Sequence, residues 1–286
     1  MKYRHTFHAG NFADVHKHVT LLALLRALKK KEKGFFYLDT HAGRGRYDLA
    51  RHPTEAAAGL ERFEAHEHQA EELRAYAALL EAWRTQGARR HSYPGSPLIA
   101  ASELRRQDRA VLIERERTEA HALEQSLAAL AKAGSSLARV HIECADGFAR
   151  LAAWLPPRER RGLTLIDPPY EETREDFALV GKALAEGVRR FPGGVFAAWY
   201  PIKVEREIAP WLATWARDLE RPALLSELWL YPRDSRVGLN GSGLLIVNPP
   251  WHVRERMEVW LAELAATLAS GPAAGSRVQM LSESPR

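Results

Sequence analysis

The chain has 286 residues, enough for a full α/β core with room for one sizeable insertion. At 46% hydrophobic and 27% charged it has an ordinary globular composition, and its longest apolar runs, such as Val19–Leu25 and Gly243–Val247, are too short to span a bilayer. A single cysteine, Cys144, excludes an internal disulfide and fits a reducing compartment; Met1-Lys2-Tyr3-Arg4-His5 has no apolar secretory stretch, so a cytoplasmic location and no membrane partner are expected. The net charge of +5 is unevenly placed: residues 1–33 hold eight Lys/Arg against Asp14 and Glu32, while the other 253 residues hold 33 basic and 34 acidic side chains. A basic amino-terminal segment on a near-neutral body points to an anionic partner, although Lys29–Lys33 would also suit the closing dipole of a helix.

The first element is a helix over Asp14–Lys31, capped by Asn11 or Asp14. It follows a segment rich in histidine (His5, His8, His16 and His18), with His41 further on; no cysteine accompanies them and no standard zinc spacing is matched, so no metal is expected. On this helix Lys17 and His18 are placed toward a cofactor, and ahead of it Tyr3, Arg4 and His5 toward the phosphates or bases of a nucleic acid.

A strand over Phe35–Asp39 runs into Thr40-His41-Ala42-Gly43-Arg44-Gly45. In a doubly wound sheet ligands bind beyond the carboxyl ends of the strands, and glycines such as Gly43 let the backbone approach them closely. The third glycine of the dinucleotide pattern is missing, which suits a nucleoside without pyrophosphate, such as S-adenosylmethionine, better than NAD. About 70 residues then separate this strand from the next, too many for a plain crossover. Leu73, Tyr76, Ala77, Leu80 and Trp83 recur at helical spacing, so residues 52–92 are predicted to form a helical insertion, with His66 and His68 exposed on it. Tyr93-Pro94-Gly95-Ser96-Pro97 breaks the helical pattern and returns the chain to the core.

Further strands are predicted at Ala110–Glu114, Leu137–Glu143, Leu163–Asp167, Gly194–Pro201, Leu224–Tyr231 and Gly243–Asn248, with helices at Phe177–Arg190, Glu205–Leu219 and Arg254–Leu268. Apolarity on both faces of Leu163-Thr164-Leu165-Ile166 suits a strand covered by helices on either side. The alternation predicts an α/β fold with a mostly parallel sheet of seven strands and a final antiparallel hairpin. Residues 1–51 and 93–269 would form the core, and 270–286, rich in Gly, Pro and Ser, a loosely ordered tail. Glu114 and Asp146-Gly147 stand at successive strand ends, where carboxylates can accept hydrogen bonds from ribose hydroxyls and an adenine amino group; a loop acid or a helix cap is the alternative use of each.

The most informative motif is Asp167-Pro168-Pro169-Tyr170. Methylating an aromatic amino group requires its two N–H bonds to be held so that the lone pair is directed at the methyl donor. A carboxylate at Asp167 and the carbonyl of Pro168 can take one each, because two prolines fix the chain direction and donate nothing themselves. Tyr170 offers a ring on which an extruded base can stack. Asn248-Pro249-Pro250-Trp251 has nearly the same shape but follows the last strand of the hairpin, so Asp167 is preferred.

Taken together, the Tyr3–Asn11 segment, Ala13-Asp14-Val15-His16-Lys17-His18, Leu38–Tyr47, Tyr93–Pro97, Ala145–Phe148 and Leu165–Tyr170 resemble the bacterial ribosomal large subunit methyltransferase J family from residue 2 to about 260. The resemblance implies a Rossmann-like class I methyltransferase with a small helical insertion. It also implies N6-methylation of one adenine of 23S ribosomal RNA, called adenine 2030. It places S-adenosylmethionine against His18, His41, Ser96, Glu114, Asp146, Gly147 and Asp167, makes Asp167 the catalytic residue, and sets Tyr3 on the substrate side. A monomer is expected. The rivals are a DNA adenine-N6 methyltransferase, which usually adds a separate target-recognition domain, and a non-catalytic RNA-binding protein, which leaves Asp-Pro-Pro-Tyr unexplained. A histidine-based metallohydrolase leaves the glycine turn unexplained.

Overall fold

The computed structural model describes residues 9–51, 57–85, 92–132, 139–171, 173–232, 235 and 238–282. The expected substrate contacts Tyr3, Arg4 and His5 therefore lie outside the described residues.

Helix α1 (Phe12–Lys29) begins where the Asn11 side chain accepts the Asp14 N–H at 3.0 Å, which satisfies one of the unpaired donors of the first turn. It leads to β1 (Phe36–Asp39), β2 (Arg46–Asp48) and the insertion, whose main helix is α2 (Glu71–Thr85). The short β3 (Ser92–Pro94) pairs with β2 and brings the insertion back beside the glycine turn. The chain continues through α3 (Ser96–Glu103), β4 (Arg109–Glu114), α4 (Arg117–Lys132), β5 (Arg139–Cys144), α5 (Gly147–Trp154), β6 (Gly162–Ile166), α6 (Thr173–Arg190), β7 (Val195–Ile202), α7 (Glu205–Leu219), β8 (Ala223–Trp229), β9 (Gly241–Val247), α8 (Val253–Leu268) and β10 (Gly275–Ser282).

The main sheet has the order β10-β8-β9-β7-β6-β1-β4-β5. β7, β6, β1, β4 and β5 are parallel; β9 returns antiparallel to β7 and to β8. Helices α1, α3, α4 and α8 cover one face, and α5, α6 and α7 the other. That is why β6 and β7 are buried at every position: strands sandwiched between helices have no solvent side. The chain leaves β1 toward β4 and β5 on one side, while β6 and β7 build the other. The crevice where the order reverses therefore opens above β1 and β6.

The tail corrects the sequence expectation. Residues 270–286 were expected to be loosely ordered, yet Gly275–Ser282 forms β10, an eighth strand antiparallel to β8. Its anchor is electrostatic. Arg277 lies directly opposite Glu227 in the register and its guanidinium donates to Glu227 Oε2 at 2.6 Å, while Tyr200 donates to the other oxygen at 2.8 Å. Glu227 is only 2% exposed, and a carboxylate buried to that degree requires such partners. Composition hid the strand because Gly and Ser occupy its ends as well as its approach, leaving only Arg277–Leu281 with a strand-like pattern.

The insertion packs on α1 and α8. Arg256 on α8 pairs with Glu72, and Glu263 caps α2 by accepting the N–H groups of Gln69 and Ala70 at 2.7 and 2.8 Å. His68 is buried, not exposed as expected, and its ring stacks on Phe63 at 4.1 Å; His66 is exposed.

Candidate active site

The carboxyl ends of the parallel strands meet at one edge. Asp39 on β1 is level with Leu112 of β4 and Leu165 of β6, so Glu114 and Asp167 each stand two residues beyond it on either side. Glu114 is level with Cys144, which places Asp146 just past the neighbouring strand end. The strand-end acids singled out in the sequence thus share one edge because their strands run in one direction.

The β1 turn holds this edge together. Gly43 and Gly45 adopt φ +63° and +77°, a left-handed conformation that glycine enters without strain. The Gly43 N–H donates to Glu114 Oε2 at 2.8 Å, and the Glu116 N–H to Oε1 at 2.7 Å. Burial raises the Glu114 pKa against those two hydrogen bonds. Thr40 donates its hydroxyl to the Leu165 carbonyl at 3.0 Å; having one proton, it must accept the bond from His41 Nδ1 at 2.8 Å, which fixes the His41 tautomer. The His41 ring meets the edge of Phe148 at 4.8 Å. Asp146 caps α5 through the Ala149 N–H at 2.9 Å and is exposed. Gly147 is required for contact: a Cβ there would stand 1.9 Å from the Thr40 carbonyl oxygen.

Sequence reasoning did not single out Asp39 as a hub. It is fully buried and accepts from Ser96 Oγ at 2.7 Å, Tyr37 Oη at 2.9 Å and the His41 N–H at 3.2 Å. Burial pushes its pKa up to about 6, against the lowering effect of those donors. Ser96, expected to touch the cofactor, is thereby tied to the end of β1. The available signal was an acid ending an apolar strand immediately before a glycine turn.

Asp167 is 3% exposed, and its Oδ2 accepts from Lys17 Nζ at 2.7 Å; Lys17 also pairs with Asp14 at 2.8 Å. Burial alone would lower the Lys17 pKa, but the two carboxylates outweigh it and hold it well above its ordinary value. Lys17, expected at the cofactor, is thus enclosed by acids, with the Trp199 ring 5.5 Å away. His18 joins a buried chain instead: its Nδ1 meets Tyr93 Oη at 2.7 Å, and Tyr93 Oη meets Tyr76 Oη at 2.9 Å, so the insertion is bonded to α1 beside the site. His16, on the same helix, bridges Ser242 and Ser226, and burial pushes its pKa down to about 3, a neutral structural imidazole.

Tyr170 departs from the expectation of an open stacking platform. It sits at φ +51°, is 4% exposed, donates its hydroxyl to the Trp199 carbonyl at 2.7 Å and packs against Phe177 and Trp199. The left-handed residue after two prolines turns the ring into the protein, where it anchors the end of the motif. Pro168 is buried beside Asp167, whereas Pro169 is exposed. No cluster of three or more His, Cys, Asp or Glu suited to a metal ion occurs among the described residues, and no described helix is long and apolar enough to cross a membrane.

The family model described as "Ribosomal RNA large subunit methyltransferase D, RlmJ" matches residues 32–281. A protein of Haemophilus influenzae named ribosomal RNA large subunit methyltransferase J is 40% identical over 272 residues, 94% of each chain. Its namesake in Escherichia coli is 41% identical over 265 residues, 90% of each. A crystal structure of a Legionella pneumophila protein superposes with a TM-score of 0.79 at 32% identity, covering 96% of this chain and 97% of that one. The chain is a methyltransferase and belongs to the ribosomal RNA large subunit methyltransferase J family.

Proposed function

We propose that this methyltransferase transfers the methyl group of S-adenosylmethionine to the exocyclic N6 of a single adenine of 23S ribosomal RNA, adenine 2030. The observation that carries the reading is the Asp167-Pro168-Pro169-Tyr170 turn, standing at the sheet crevice beside the β1 glycine turn. The donor set fits an adenosyl group without pyrophosphate. The Gly43–Gly45 backbone is shaped for close approach, Glu114 is a half-buried carboxylate for hydroxyls, and Asp146 is an exposed carboxylate at the next strand end. His18, His41, Ser96 and Gly147 complete the set. When bound, S-adenosylmethionine supplies an electrophilic methyl group on a sulfonium.

The protein's part is to position the amino group. Lys17 holds Asp167 Oδ2, and Oδ1 takes no hydrogen bond among the described residues, which leaves it for one amino N–H. The Pro168 carbonyl takes the other. With both N–H bonds held, the nitrogen lone pair would be directed out of the base plane toward the methyl donor; transfer would form the N–C bond as the S–C bond breaks, with one amino proton lost to solvent. Orientation and fixed charge supply the rate. Tyr170 contributes by locking the turn through Trp199. Tyr3, Arg4 and His5 precede α1 and are assigned to the RNA side.

The test is methyl transfer from labelled S-adenosylmethionine to protein-free 23S ribosomal RNA lacking the modification, followed by nucleoside analysis. Label in N6-methyladenosine at one site is expected. Label in another nucleoside, or only in DNA, would overturn the assignment.

A further inference from the structure

The Asn248-Pro249-Pro250-Trp251 turn takes no part in the site above. β9 runs antiparallel to β7, so the turn lies at the edge where the parallel strands begin, opposite the edge that carries Asp39, Glu114 and Asp167. It is firmly built. Asn248 sits at φ +52°, its side-chain amide donates to the carbonyls of Pro192 at 2.9 Å and Gly194 at 2.7 Å, and its backbone N–H donates to Pro222 at 2.8 Å. His252 follows at φ +62°. This frame holds Trp251 88% exposed, against 36–64% for the other exposed large apolar side chains described. Single exposed apolar residues are common, so the indole carries no argument by itself.

The second observation is charge at the same edge. The loop between α1 and β1 is braced by Arg105, which donates to the carbonyls of Lys29 and Lys31, and by Arg161, which donates to those of Leu28 and Lys33. Around these braces Lys30, Lys31, Lys33, Arg106, Arg158 and Arg160 are exposed. Two of the nearby carboxylates are engaged: Asp108 binds Arg105 and the Phe35 N–H, and Glu159 binds Arg109 and Arg158. Glu32 is exposed among the lysines. Burial, and next the charge of Arg105, lower the Arg161 pKa, as crowded cations should. β9, β7, β6 and β1 are consecutive in the sheet, so the strand ends that carry the Trp251 turn and the lysine loop are three strand spacings, about 14 Å, apart.

We infer that this edge is a second RNA-contact surface, on which Trp251 stacks an unpaired base while the Lys30–Lys33 loop, Arg158 and Arg160 neutralise backbone phosphates. The pairing of one open aromatic face with a fringe of cations is the chemistry of sequence-tolerant single-strand binding. A protein partner would instead call for a continuous apolar patch, and the residues flanking Trp251 are Pro250 and the exposed His252 and Arg254. The inference rests on the reading of ribosomal RNA as substrate and extends the footprint beyond the catalytic edge.

The test compares a long 23S ribosomal RNA fragment with a short stem-loop carrying only the target adenine, using the full chain. Trp251→Ala should weaken binding of the long fragment about tenfold, and Trp251→Phe should restore most of it. Replacing the three lysines together (Lys30→Glu, Lys31→Glu, Lys33→Glu) should make the slope of log K against log salt shallower by about 2. Neither change should alter kcat on the stem-loop or the melting temperature. Unchanged long-fragment affinity and salt slope would overturn the inference, as would equal losses on both RNAs, or a loss confined to binding of a ribosomal protein. Binding needs no turnover, so wild-type protein that binds the fragment without methylating it would sink the proposed reaction and leave the surface standing.

Discussion

Two proline turns of nearly identical sequence end two strands of the same sheet and differ in almost every physical respect. Asp167-Pro168-Pro169-Tyr170 lies at the carboxyl edge of the parallel strands, its acid paired with a buried lysine and its aromatic 4% exposed. Asn248-Pro249-Pro250-Trp251 lies at the opposite edge, its amide bonded to two backbone carbonyls and its aromatic 88% exposed. Each turn contains a left-handed residue, but at a different position: Tyr170 in the first, Asn248 in the second. Where the reversal falls decides whether the ring turns inward or out. Strand direction, which no local motif encodes, decides which turn can meet a ligand bound at the crevice.

The sharpest way to break the comparison is to exchange roles by mutation. Asp167→Ala should lower methyl transfer at least about a thousandfold with the fold intact, because positioned acceptors of this kind supply factors of that order. Asn248→Ala should leave transfer to a short substrate unchanged. Label incorporation and circular dichroism read both, and loss of activity only in Asn248→Ala would reverse the assignment.

Lys17→Ala should cost stability as well as activity. It leaves Asp14 and Asp167 facing each other without a cation at side-chain exposures of 12% and 4%, a loss of about 3–5 kcal/mol in a denaturant titration. A loss under 1 kcal/mol would mean that water, not lysine, holds that end of the sheet. Asn248→Ala should cost less, about 1–3 kcal/mol, from two lost hydrogen bonds and a left-handed alanine; Asn248→Gly should recover the backbone part.

The smallest expected effect is a pH dependence at the catalytic edge. The Asp39 pKa is raised from 3.8 to about 6, so the folded state holds its proton more tightly than the unfolded chain. The stability from this group is complete below about pH 4 and lost as pH rises through about 6. Urea melts of wild type and Asp39→Asn between pH 4 and 7 should therefore diverge, with the wild type losing ground as pH increases. Parallel curves would place Asp39 in a wetter environment than its burial suggests.

Much of this layout was legible in the sequence, and the exceptions share a cause. Apolar runs such as Leu163–Ile166 announced the buried strands, and acids at their ends announced the edge that gathers Asp39, Glu114, Asp146 and Asp167. Of the two candidate caps, Asn11 and Asp14, the helix uses Asn11. Helices α3, α4 and α5 were not separated out, because 8 to 16 residues rich in alanine and leucine between strands give weak boundaries. What escaped entirely depends on partners distant in the chain. Lys17 meets Asp167 across 150 positions, and Arg277 meets Glu227 across 50. Tyr170 was misjudged because the sign of one backbone angle has no local signature outside glycine and asparagine.

The hydroxyl chain from Tyr76 through Tyr93 to His18 has a consequence for cooperativity. A segment that merely decorated the core could melt by itself and leave the rest folded. Here Tyr76 of the insertion holds the Tyr93 hydroxyl that orients a histidine on the first helix, so partial unfolding of one would release the other. The insertion and the α1 end of the sheet should then exchange their protected amides as one unit, and the chain should have no stable intermediate in which the insertion alone is lost.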